Sequence, residues 1–169
     1  MASYVEIQGF DGVVERIETL ADTKKIEKAL EMACLIVERQ AKINAQALSE
    51  GNGTLAGSIA TKVDGLEGVV YTPLFYAPYV EYGTGLEAEG GKGRQDVPWV
   101  YVKNSGKTGE GAQRSYTLEE AKQAVAALQE QGLDAHYTYG QKPKPFLRPA
   151  LDVNRDEITR IIKEGLTVR

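Results

Sequence analysis

One histidine, His136, and one cysteine, Cys34, are the side chains of this sequence best suited to chemistry near neutral pH. The first would act as a proton shuttle, the second as a thiolate nucleophile. Neither has the company such chemistry needs. His136 lies between Ala135 and Tyr137 in a strand-like run. No second histidine completes a metal pair, and no Gly-x-Ser-x-Gly elbow offers a serine to activate. A surface or edge-strand position is the plainer reading. Cys34 falls on the apolar face of a helical pattern, where a thiol packs as a small hydrophobe with a raised pKa.

Glycines and carboxylates lead no further. Gly83-Thr84-Gly85-Leu86-Glu87-Ala88 fits the loose dinucleotide fingerprint. That motif must follow a strand and open a helix, so that the helix N-terminus meets pyrophosphate. Here it follows a short helical pattern and opens a glycine-rich loop. Gly85 and Gly90 have the spacing of a phosphate loop, but Gly91 stands where lysine is required. Of Glu81, Glu87 and Glu89, only Glu81 lies in an ordered pattern, and a general acid needs a desolvated carboxylate beside a rigid partner. These residues predict no enzyme, no cofactor and no metal site.

The elements that would position these groups begin with Tyr4–Ile7, which alternates like a strand. Asp11 can cap a short helix with apolar Val13, Val14, Ile17 and Leu20. A long amphipathic helix is predicted over 23–48, capped by Asp22. Its apolar positions are Ile26, Leu30, Ala33, Cys34, Val37 and Ala41, opposite a face of Lys24, Lys28, Glu31, Glu38, Arg39 and Lys42. Gly51-Asn52-Gly53 stops it. Runs 58–63 and 68–71 flank Asp64-Gly65, a hairpin signal. Pro78 suits the first turn of a short helix ending at Gly83. The glycine-rich 84–95 stretch is costly to order and is expected to be mobile.

Trp99–Val102 reads as a strand. Thr117 and Glu120 form a capping box for a helix striped by Ala121, Ala124, Val125 and Leu128, closed by Gly132. A strand over 135–139 follows. Pro143, Pro145 and Pro149 favour an extended approach to a final helix of Leu151, Ile158, Ile161, Ile162 and Leu166, with Asp156 and Arg160 at i,i+4 spacing. The fold class expected is α+β. A small, mainly antiparallel sheet packs against the long helix and the C-terminal helix. Residues 1–169 form a single domain with an insertion at about 106–139, whose 112–139 part extends one sheet edge.

The bulk properties agree. A chain of 169 residues with 42% hydrophobic side chains can build a core. No run approaches a membrane span, and Met1-Ala2-Ser3-Tyr4-Val5-Glu6 has no secretory pattern. The lone cysteine fits synthesis in a reducing bacterial cytoplasm. The net charge of −4 hides an asymmetry. Residues 1–89 carry 7 basic and 14 acidic side chains, residues 90–148 carry 9 and 6, and the remainder carries 4 and 4. The acidic part cannot bind nucleic acid by counterion release; the middle part is open to weak phosphate contact.

Three motifs carry more information than any reactive group. They are Gly53-Thr54-Leu55-Ala56-Gly57-Ser58-Ile59, Tyr76-Ala77-Pro78-Tyr79-Val80-Glu81-Tyr82-Gly83-Thr84-Gly85, and Gln141-Lys142-Pro143-Lys144-Pro145-Phe146-Leu147-Arg148-Pro149-Ala150-Leu151. In this order they resemble a neck, or tail-completion, family (minor tail and head–tail joining proteins) of long-tailed bacteriophages. The resemblance covers about 22–105 and 140–165, and the helix between them departs from the family's pattern. It implies a structural virion protein at the head–tail junction, made in the host cytoplasm. The implied state is a homo-oligomeric ring touching head-closure and tail-terminator proteins.

Within the motifs, Tyr76, Tyr79 and Tyr82 recur three apart. Such a stripe is more often core than interface, though tyrosine is enriched at interfaces. Glu81 and Arg148 are candidate ion-pair partners, both positions being carried by the resemblance. Phe146, stiffened by Pro145 and Pro149, reads as an anchor for the final helix. Gly83 and Thr84 complete the set of interface candidates. The alternative reading is a small cytoplasmic, prophage-encoded adaptor that does not enter particles.

Overall fold

The computed structural model describes residues 3–5, 23–48, 53–103 and 116–166. The expected 11–20 helix, the Asp22 cap and the Gly51-Asn52 stop lie outside them. The fold is α+β, in two compact units: Met1–Ala77 with Pro145–Arg169, and Pro78–Lys144. The expected 106–139 insertion falls within the second.

The first unit is organised by helix α1, Thr23–Ala47. Its inner face is a stripe of mostly small residues, Ile26, Ala29, Ala33, Val37, Ala41 and Ala45, with Cys34 beside it, all buried. Small side chains let neighbouring backbones come close. Helix α2, Thr54–Ser58, leads into β2, Ala60–Asp64, and β3, Glu67–Thr72. Strand β1, Ser3–Val5, completes an antiparallel sheet of order β1-β3-β2. Asp64 pairs with Glu67, so the hairpin loop is Gly65-Leu66, one residue on from the predicted turn. Gly65 supplies the positive φ of 59° that such a tight loop needs. The sheet packs on α1, and Gly68 allows the approach: a Cβ there would lie 2.6 Å from Cys34 Sγ.

The Gly53–Ile59 motif has a structural role in this unit. Ser58 Oγ donates to Leu55 O at 2.7 Å and shares a 2.7 Å hydrogen bond with the fully buried Thr72 hydroxyl. The end of β3 is thereby fastened to α2.

The C-terminal segment forms two helices rather than the single one predicted. They are α5, Leu147–Val153, and α6, Arg155–Leu166, separated at Asn154. The Asn154 amide donates to Ala150 O at 2.7 Å, a side-chain bond that competes with helix continuation. Arg160 pairs with Glu157 and Glu164, at 2.6 and 2.7 Å, and not with Asp156 as its spacing suggested. Both helices pack on α1. Gly165 permits the α6 contact, since a Cβ there would sit 2.5 Å from Ala29 Cβ.

The second unit holds α3, Ala77–Tyr82, almost entirely. It also contains β4, Thr84–Gly85, a 3₁₀ turn at Glu89–Gly91, β5, Trp99–Val102, and α4, Leu118–Glu130. Strands β6, Ala135–Thr138, and β7, Gly140–Gln141, complete it. The capping box at α4 is present: Glu120 N donates to Thr117 Oγ1 at 3.3 Å, and Thr117 N donates to Glu120 Oε2 at 2.8 Å. One expectation fails. β5 and β6 form their own two-stranded antiparallel sheet and do not extend β1-β3-β2. Helix α4 lies against this pair, with Val100, Ala121 and Ala135 buried, so the two strands bury one face locally.

Candidate functional site

The end of the Tyr76–Gly85 motif and the start of the Gln141–Leu151 motif meet inside the second unit, and glycine backbone makes the meeting possible. Residues 84–85 pair with 140–141 as β4 and β7. Gln141 N donates to Thr84 Oγ1 at 3.0 Å, Leu86 N to Tyr139 O at 2.9 Å, and Lys144 N to Val80 O at 2.8 Å. Gly83 has φ 76°, and a Cβ on it would lie 2.5 Å from Gln141 O and 2.9 Å from the Pro143 ring. At Gly85 and Gly140 the two strands are again too close for side chains. Part of the 84–95 stretch is therefore held by ladder pairing, in place of the unstructured loop expected. Gln95 adds side-chain donation to Gly91 O and Gly93 O, at 3.3 and 2.9 Å.

Around this crossing the tyrosines point outward. Tyr79 is 55% exposed and Tyr82 46%, against the core placement favoured by their spacing; Tyr76 is half-buried. A six-residue helix has too little length to bury a whole tyrosine stripe. Leu86 and Tyr139 are also exposed. Sequence reasoning missed these two; the signal was their place directly beside Gly85 and Gly140, the glycines of the crossing. Glu81 is the exception on α3, almost fully buried.

The rest of the third motif belongs to the first unit. Phe146 and Leu147 are buried completely or nearly so, and Asn44 Nδ2 donates to Phe146 O at 3.0 Å. The anchor thus docks on α1. Pro149 lies in the first turn of α5, as expected for a residue without an N–H. Arg148 is half-buried in the first unit, whereas Glu81 lies in the second.

Neither reactive candidate takes part in the hydrogen bonds given above for the crossing. His136 Nε2 is 2.6 Å from Asp134 Oδ1, and the His136 ring is 5.7 Å from that of Tyr101. Cys34 is buried, and burial followed by the nearby Glu38 charge pushes its thiol pKa up. Among the described residues, no cluster of three or more His, Cys, Asp or Glu could hold a metal ion. No described helix is long and apolar enough to cross a membrane.

A second surface belongs to the first unit. An open groove of about 460 Å³ runs along α1 and β2, lined by Glu27, Glu31, Glu38, Asp64, Leu35 and Val63. Lys42 bonds Glu38 at 2.6 Å, and Lys62 approaches Asp64 at 3.5 Å. Burial alone would raise the Glu38 pKa; the Lys42 hydrogen bond and charge outweigh it and hold the carboxyl below its usual range.

Residues 11–83 match the family model described as "Bacteriophage HK97-gp10, putative tail-component". Over that span the chain is similar to a phage tail-component family, in keeping with the neck and tail-completion resemblance of its motifs. The match covers less than half of the chain and stops at Gly83, before most of the second unit. Neither a curated protein nor a solved structure matches.

Proposed function

We propose that this protein is a structural component of a tailed-phage particle. It acts at the head–tail junction or in tail completion, by ring-like packing against copies of itself and against head-closure and tail-terminator proteins. It works without catalysis, through surfaces. The observation that carries this reading is the exposed Tyr79, Tyr82, Leu86 and Tyr139 around a glycine-dependent backbone crossing, beside a tail-component family match. Tyrosine combines apolar area with a polar tip, which suits a surface that is wet before assembly and dry after it. Any contact with phage DNA falls to the basic 90–148 segment and is weak.

The test is deletion of the gene in its phage or prophage, with electron microscopy and proteomics of the particles. Heads and tails that fail to join, or tails left incomplete, are expected, with rescue by the wild-type gene in trans. Normal infectious tailed particles without the protein would overturn the reading.

A further inference from the structure

We infer that the acidic groove on α1 and β2 receives the Lys142–Lys144 segment of a second copy of this chain. This names the self-contact within the ring-forming reading above and rests on it. Four carboxylates line the groove, and two of them, Glu27 and Glu31, form no ion pair among the described residues. They lie one helical turn apart on the same face of α1, where their like charges repel and a cationic segment that bridges both would relieve the repulsion. Leu35, half exposed between them and Glu38, gives the groove an apolar patch.

Charge and spacing on the other unit complement this. Lys142 and Lys144 are both exposed and likewise make no ion pair among the described residues. They are two residues apart in a segment whose prolines favour extended backbone, which places them about 7 Å apart. That is close to the one-turn separation of Glu27 and Glu31. The Lys144 N–H bond to Val80 O and the Pro143 contact at Gly83 hold the segment on its own unit, so little order is lost on docking. Because groove and arm are different surfaces, the contact is head-to-tail, the kind that closes rings.

Sedimentation and native mass spectrometry of the full chain provide the test. Wild type is expected to self-associate, less so as salt rises through about 0.5 M. The E27K/E31K and K142E/K144E variants should each associate at least about tenfold more weakly, and a chain carrying all four changes should regain most of the loss. E27Q/E31Q should give an intermediate loss, with thermal melts confirming that each variant is folded. A monomeric wild type, variants that associate like wild type, or no recovery in the fourfold variant would each overturn the inference. Incorporation into particles separates this from the function proposed above: groove variants that assemble normally would sink the contact and leave the virion role intact.

Discussion

Gly83 concentrates two constraints in one position. Its φ of 76° is costly for any side chain, and the backbone of Gln141 and the ring of Pro143 occupy the space a Cβ would take. Gly83→Ala is therefore expected to destabilise the protein by about 2–4 kcal/mol, from left-handed strain plus overpacking. Urea unfolding measures this, and a loss under about 0.5 kcal/mol would contradict the close crossing. Glu38 offers a pH test. Its folded pKa is depressed, so its ionised form favours the folded state above the ordinary value of 4.5, and that contribution disappears as pH falls through the folded pKa. The melting temperature of Glu38→Gln should lie below wild type at neutral pH, and the gap should shrink as pH falls from the ordinary value of 4.5 through the folded pKa. A gap that widens in acid would reverse the sign of the argument.

At the scale of elements, the third motif is a hinge in sequence between two roles. Its first half pairs with the Thr84–Gly85 strand, and its second half buries Phe146 and Leu147 on α1. Phe146 is fully buried, so Phe146→Ala should cost about 3–5 kcal/mol through lost transfer energy and a new cavity. Equilibrium denaturation of the two proteins gives the difference. A cost below about 1 kcal/mol would mean that the α5 anchor contributes little to stability. The elements most legible in the sequence were those with strong local chemistry. The α1 stripe, the Thr117/Glu120 capping box and the 60–72 hairpin all lie within two residues of their predicted limits. The partner of Arg160 was misread because i,i+3 and i,i+4 spacing name several carboxylates, and rotamer and competing neighbours choose among them.

For the whole molecule, the family match and the division into units fall at nearly the same place, Gly83 and Ala77. The tail-component sequence signal thus resides mainly in the unit built on α1 and the three-stranded sheet. If the outward tyrosines of α3 serve assembly, a Tyr79→Ser, Tyr82→Ser double variant should fold with little change in melting temperature. It should also be depleted at least about tenfold from purified particles, as expected for aromatic interface anchors. Equal incorporation would remove these two residues from the interface. The α+β class and the principal helices were determined by the sequence alone, because periodicity and caps act over a few positions. Only the tertiary structure decided that β5 and β6 form a separate sheet, that the tyrosines face outward, and that Gly83 meets Gln141. Those outcomes depend on which segments distant in sequence pair and pack most favourably, and no local pattern of side chains encodes that.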